Sequence, residues 1–422
     1  MLSKKFNRVP KRNLLPKNML MIIFFVDQNY KNKTLLKILD VKKLEAVDKS
    51  IEAANGLPNE CYISKEYLAY EKERIFCDKW TVIGVGSSIP NYGDVKPYNL
   101  LGIPLILIRD KEMKIRVFHN VCSHRGFKLV QNSKKLKKFI RCPYHSWSYD
   151  LEGELISTPH IGGVGKHESE DFDKSCNGLK EVRSYVWMDL IFVNISAQAE
   201  PFDEFIKPLD NRWSEFLSTE DRKLIRHPTD HGYFQFKVKS NWKFAIENYC
   251  ESYHLPWIHP DLNSYSKLED HYMILADNNG FAGQGSLTYN PNFVSKETFN
   301  YFPNWPKDKF NHAEYVALFP NVMLGIHRDH YFAFWLEPIN YSSTIEHMEV
   351  YYVGDDSAYS DQHKEIREEN SNLWFKVLSE DINAIEGMQA GRNSPSYTGG
   401  KFSPVMDIAT YNFHKWVATN IV

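Results

Sequence analysis

Cys122-Ser-His124 and Cys142-Pro-Tyr-His145 each set one thiol and one imidazole on a short turn, so each stretch can present two ligands to one point. Two thiolates and two imidazoles suit either tetrahedral zinc or a [2Fe–2S] cluster with both cysteines on one iron and both histidines on the other. Zinc sites of this composition usually place a cysteine pair first and a histidine pair second. Here each half supplies one of each, as a two-iron cluster gripped between two loops requires. The bland alternative is a pair of small core thiols beside hydrogen-bonded turn histidines. Two such pairs in register outweigh it, with Arg125-Gly126 after the first and Pro143 and Trp147 around the second.

A second group lies in Asn241–His259. A helix is expected over Lys243–Tyr253, ended by Pro256, with Glu247, Glu251 and His254 at i, i+4 and i+7 on one face. The proline lets His259 fold back toward His254. Two satisfied core histidines are an equal alternative for this segment alone. A metal there needs a carboxylate from elsewhere, giving two histidines and one acid, the set used by non-haem Fe(II) oxygenases. A long helix expected from Asp361 to about Gly391 supplies a candidate. Its apolar stripe is Trp374, Val377, Leu378, Ile382, Ile385 and Met388, and Asp381 falls inside it. A carboxylate facing a core is costly unless paired, and a cation supplies the pairing; a buried salt bridge to Arg392 is the competing reading. Glu380 and Glu386 lie off the stripe and are expected to face solvent.

These residues need rigid supports. Trp80–Gly86, Pro104–Arg109 and Ile115–His119 read as short strands, with turns at Asp110–Met113 and Asp150–Gly153. Strands return at Tyr331–Leu336 and His347–Val353. The division expected is a tail over 1–44, an all-β unit over 45–195 and an α+β unit over 196–422, α+β overall. The length of 422 residues suits that number of units. The tail is basic over 1–18 and then apolar over Met19–Val26. That order resembles a signal or transit segment, but the run is too short to span a bilayer and no small-residue cleavage site follows. A tail, or a start at Met19 or Met21, is the preferred reading.

With 51 Lys+Arg against 53 Asp+Glu, the formal charge is −2, which speaks against nucleic acid or an anionic membrane as partner. Six cysteines are too few for a disulfide scaffold and suit a reducing, cytoplasmic setting. Lys134–Lys138 reads as a solvated run and, secondarily, as a docking patch for an acidic electron donor. Neither Gly84-Val-Gly86 nor Gly280–Gly285 has the spacing of a dinucleotide fingerprint, so electrons must enter from a separate protein.

Cys122-Ser-His124-Arg125 and Cys142-Pro-Tyr-His145-Ser-Trp147 resemble the Rieske signature of ring-hydroxylating oxygenase α subunits. Glu251-Ser-Tyr-His254 with His259, and Glu380-Asp381 with Gln389-Ala-Gly391, resemble the same family's iron motif and carboxylate helix. The resemblance spans roughly 45–422 and implies a Rieske domain followed by a helix-grip catalytic domain around an antiparallel sheet. It implies a [2Fe–2S] cluster on Cys122, His124, Cys142 and His145, and mononuclear Fe(II) on His254, His259 and Asp381. Glu251 stands at the position of the acid that links the iron site to a Rieske histidine, His145, of a neighbouring subunit in a homotrimer. Many family members have Asp there; Glu is closer to the choline, carnitine and betaine monooxygenase branch. The activity implied is hydroxylation or oxidative demethylation of a small quaternary or methylated amine. It would use O2 and NAD(P)H electrons relayed by a flavin- or ferredoxin-type reductase. Tyr253, Trp257, Tyr331, Phe332, Phe334 and Trp335 are candidates for a cation–π cage. Dioxygenation of an aromatic ring is the alternative within the family, and a zinc-stabilised binding module the alternative outside it.

Overall fold

The computed structural model describes residues 39–421. The basic and apolar runs of the expected tail lie outside the described residues.

The first half is built from three small antiparallel sheets. One orders the strands Ile115–His119, Ile103–Arg109, Asp94–Leu100 and Lys134–Lys135. Another joins Phe139–Arg141, Ser148–Asp150 and Leu155–Ser157, and the third joins Thr81–Val85, Leu190–Asn194 and Arg183–Trp187. The expected strands are thus present, with ends shifted by a residue or two. Both expected turns are tied by an aspartate. Asp110 Oδ1 accepts the N–H groups of Glu112 and Lys114, and Asp150 Oδ1 those of Glu152 and Glu154. Strand alternation divides the packing. Ile106 and Ile108 enter a small core with Phe118, Ile140 and Trp147 beneath the Cys–His loops. Leu105 and Leu107 face the large core shared with the second half.

The second half is an eight-stranded antiparallel sheet. Its path runs Ile225–Arg226, Ser343–Val353, His330–Asn340, Val322–Ile326, Ala313–Leu318, Phe281–Ser286 and His271–Leu275, with Tyr233–Val238 also pairing Ser343–Val353. Helices Trp242–Tyr249, Lys364–Gly391 and Ile408–Ile421 pack against it. The helical segment 60–77 joins this core rather than the small one. Tyr62 stacks on Phe244 at 4.6 Å, and Lys243 pairs with Glu71 at 2.7 Å with both side chains fully buried.

The helix expected over Lys243–Tyr253 stops at Tyr249. The carboxylate of Glu251 accepts the backbone N–H groups of Tyr253 and His254 and so starts a new turn in place of the continuing helix. Pro256 does not end that helix; it sits in the first turn of the next one, Leu255–Ile258, where its missing N–H costs nothing. The i, i+4, i+7 face therefore does not exist. Glu247 points elsewhere, into a buried group with Tyr62, His414 and Arg392.

Among the described residues no helix is long and apolar enough to cross a membrane.

Candidate functional site

The two Cys–His loops are near copies of each other. Cys122 N–H donates to Phe127 O and Cys142 N–H to Trp147 O; Gly126 N–H returns to Cys122 O and Ser146 N–H to Cys142 O. Both loops take a left-handed residue at the matching position, Gly126 at φ +74° and Ser146 at φ +59°. Cys122 and Cys142 are buried, and His124 and His145 stand toward the surface above them. The imidazoles lie 4.6 Å apart, and His124 stacks on Trp147. Tyr149 OH sits 3.2 Å from Cys122 Sγ and accepts the Ser123 N–H at 3.0 Å. Burial pushes the Cys142 thiol above its ordinary range, so a thiolate there needs a cation. His145 Nδ1 is buried and has no hydrogen-bond partner. Two buried sulfurs below two imidazoles, one with an orphaned nitrogen, fit a [2Fe–2S] cluster held between the loops.

His254, His259 and Asp381 converge, and their ligand atoms all lie within 4.8 Å of one another. His254 precedes the helix Leu255–Ile258, His259 sits between it and Pro260–Tyr265, and Asp381 projects from Lys364–Gly391. Each histidine spends its Nδ1 on a carboxylate: His254 on Glu251 Oε1 at 2.7 Å, His259 on Glu380 Oε2 at 2.8 Å. That leaves both Nε2 atoms turned toward Asp381 Oδ1, at 3.7 and 3.0 Å. Asp381 Oδ1 is buried and, despite those distances, has no hydrogen bond of acceptable geometry. Burial works against a charged His259, yet Asp381 and Glu380 outweigh it and hold its pKa above the usual value. Three carboxylates around two imidazoles leave negative charge for a cation to balance. The arrangement fits a divalent metal held by two imidazoles and a carboxylate and oriented by second carboxylates.

Three expectations about side chains and one competing reading need correction. Glu380 does not face solvent but fixes His259, because its position beside Asp381 brings its carboxylate to His259 Nδ1. Glu386 accepts the Lys239 backbone N–H and is only partly exposed. Arg392 does not pair with Asp381; it lies 4.0 Å from the Tyr62 ring centroid and donates to Leu57 O. Met388, expected in the buried stripe, is exposed.

A cavity opens beside the three converging residues, walled by Tyr249, Tyr315, Phe332 and Trp374. Phe332 and Trp374 are 4.5 Å apart by ring centroids, and Tyr315 lies 6.3 and 6.2 Å from them. Of the six aromatics singled out in the sequence only Phe332 reaches this cavity. Tyr253 and Trp257 are exposed, while Tyr331, Phe334 and Trp335 are buried in the core. Tyr249 ends one helix and Tyr315 lies on a strand, neither with a local signal, while Trp374 was read only as part of the long helix's apolar stripe.

Residues 79–168 match the model of the Rieske [2Fe-2S] domain, and residues 225–421 that of the ring hydroxylating alpha subunit (catalytic domain). The chain belongs to the Rieske oxygenase α subunits and is an oxidoreductase of the non-haem iron class. Its Rieske domain implies a [2Fe–2S] cluster, and the catalytic domain of this family uses mononuclear iron. The chain is 27% identical over 359 residues to the carnitine monooxygenase oxygenase subunit of Acinetobacter pittii, covering 82% of this chain and 88% of that one. It is 25% identical over 375 residues to the chloroplastic choline monooxygenase of Arabidopsis thaliana, covering 86% and 82%. Its fold is that of a solved quaternary ammonium Rieske monooxygenase, with a TM-score of 0.72, 22% identity and coverage of 91% and 99%.

Proposed function

We propose that this chain is the oxygenase component that hydroxylates or oxidatively demethylates a small quaternary or methylated amine. It would use O2 and electrons from NAD(P)H through a separate flavin- or ferredoxin-type reductase. The observation that carries the reading is the wall of Tyr249, Tyr315, Phe332 and Trp374 beside His254, His259 and Asp381. Aromatic faces attract a methylated ammonium, which cannot donate a hydrogen bond, through their negative quadrupoles. The relatives named for carnitine, choline and glycine betaine support it.

In this reading the electron-storing domain lies within 45–195 and the catalytic one is 196–422, with the helical segment 60–77 packed into the catalytic core. Cys122, His124, Cys142 and His145 hold the cluster, and His254, His259 and Asp381 hold the iron. When bound, the iron supplies open coordination positions and the redox chemistry that activates O2. Around it, Glu251 and Glu380 hold the two imidazoles with Nε2 turned inward. Gln284 Nε2 donates to the Glu251 carbonyl at 3.0 Å and fixes the turn that carries that acid. The aromatic walls keep water from the reacting carbon and orient it. Glu251 would complete the electron path to His145 of a neighbouring subunit in a homotrimer. Hydroxylation of an N-methyl carbon leaves a hemiaminal, which collapses to formaldehyde and the demethylated amine.

The test is reconstitution with a Rieske-type reductase and NADH, offering carnitine, choline or glycine betaine and, separately, an aromatic acid. Formaldehyde or an aldehyde product from a methylated ammonium supports the reading. A cis-diol from the arene with no product from any ammonium favours ring dioxygenation, which the 31% identity over 206 residues to the 2-aminobenzenesulfonate dioxygenase α subunit of an Alcaligenes species keeps in view.

A further inference from the structure

Behind the aromatic wall of the catalytic cavity lies a second, polar cavity of roughly 250 Å³, lined among others by His312, His327, Arg328, Asp329 and His330. The two cavities share no residue, and the partition between them contains a pair of groups in hydrogen-bond contact. Tyr315, on the catalytic side, has its hydroxyl 3.2 Å from Nε2 of His327, on the outer side. His327 is only 1% exposed, and its Nδ1 is buried without a protein partner.

A buried histidine usually has both nitrogens satisfied. Here one nitrogen meets the wall of the catalytic cavity, and the other belongs to a ring that lines a polar cavity roomy enough for water. The neighbours keep this imidazole neutral. His330 stacks on it at 4.0 Å, Tyr289 packs at 4.4 Å, and Arg328 adjoins it in the chain. Burial, with the Arg328 charge added to it, holds its pKa well below the usual histidine value. His330 itself is pinned: its Nε2 accepts the Trp374 indole N–H at 3.1 Å and its Nδ1 donates to Asp329 at 2.6 Å.

We propose that Tyr315 and His327 form a proton relay from the outer cavity to the catalytic cavity. Hydroxylation of a C–H bond by O2 takes two electrons and two protons. A C–O bond replaces the C–H bond, the O–O bond breaks, and the second oxygen leaves as water. The reductase supplies the electrons through the cluster, and the protons come from solvent; on the side walled by Tyr315, Phe332 and Trp374, the Tyr315 hydroxyl in contact with His327 is the group that can carry them. A hydronium in the outer cavity gives a proton to His327 Nδ1 and is left as water, while Nε2 passes its own proton to the Tyr315 oxygen, whose proton moves into the catalytic cavity. The imidazole stays neutral but ends as the Nδ1–H tautomer, so each passage delivers one proton and the ring must turn over to restore Nε2–H before the second. Tyr315 lines the catalytic cavity, and His327 acts through it. The relay rests on the oxygenase reading but not on the substrate, because any hydroxylation needs the same two protons.

Tyr315→Phe keeps the ring and removes the hydroxyl; His327→Ala opens a hole that free imidazole can fill from the outer cavity. Both variants should keep wild-type iron and acid-labile sulfide. Product formed per NADH should fall about a hundredfold, as for loss of a general acid, with peroxide released instead. Imidazole should restore coupling to His327→Ala and not to Tyr315→Phe. In protein freed of mononuclear iron, calorimetry should detect imidazole binding to His327→Ala and not to wild type. Wild-type coupling in either variant, failure of imidazole to bind the alanine variant, or binding without rescue would each overturn the relay. A wrong substrate assignment shows earlier and separately, as a wild type that turns over no methylated ammonium.

Discussion

The two regions proposed to bind metal are built on opposite plans. The Cys–His loops place two thiols and two imidazoles within residues 122–145, on two turns that repeat one hydrogen-bond pattern, with the histidines near the surface. The three converging residues of the catalytic half come from an interrupted helical stretch and a helix more than a hundred positions later. They are largely buried, and each histidine has its own carboxylate. The first region can be formed by local chain geometry; the second exists only once sheet and helices have packed. A region made of loops tolerates exposure and can meet a partner, whereas one made of packed elements can exclude water from chemistry.

The sharpest break of that contrast is Asp381→Ala. It should abolish turnover and remove about one iron per chain while leaving acid-labile sulfide and the red-brown colour intact, since the loops do not depend on the helix. Iron and sulfide analysis beside wild type decides it. The reciprocal change, Cys142→Ala, should bleach the protein and empty only the loops, with the mononuclear iron still bound; an absorption spectrum with metal analysis checks this.

Smaller effects test the supports. Glu251→Gln should retain both metals yet slow turnover about 10- to 100-fold, the usual cost of losing a carboxylate behind a histidine ligand. Single-turnover reoxidation of the cluster, compared with steady-state rates, would locate the loss in electron transfer. Glu380→Gln should weaken iron binding over a similar 10- to 100-fold range without touching the cluster, read from iron retained during chelator titration. Gentlest of all, reversing the charge of Lys134 and Lys135, both exposed, should raise the KM for the reductase a few-fold at low salt. The difference should fade as ionic strength rises, because exposed charges are screened.

The loops were readable in the sequence because their thiols and imidazoles are close neighbours and their spacing is the signal. The long helix was readable from its stripe, and Asp381 from standing inside it. Glu380 was misread by the same rule: a stripe assigns faces of an isolated helix, but a neighbouring His259 turned a flank position into a contact. The break after Tyr249 was missed because Glu251 competes for backbone N–H groups as a capping side chain, which helical periodicity does not register. The aromatic wall was invisible for another reason. Phe332 and Tyr331 are adjacent in a strand, and alternation alone cannot say which of two buried faces holds the cavity.

Composition and local spacing by themselves determined the α+β class, the two Cys–His turns, the histidine pair and the acid on the long helix. Only the packed fold decided which carboxylates stand behind which imidazoles, which rings wall the cavity, and that Tyr315 meets His327 behind that wall. Turns and stripes are set by neighbours a few residues apart, whereas these contacts are set by which faces of distant strands and helices the burial of apolar surface drives together.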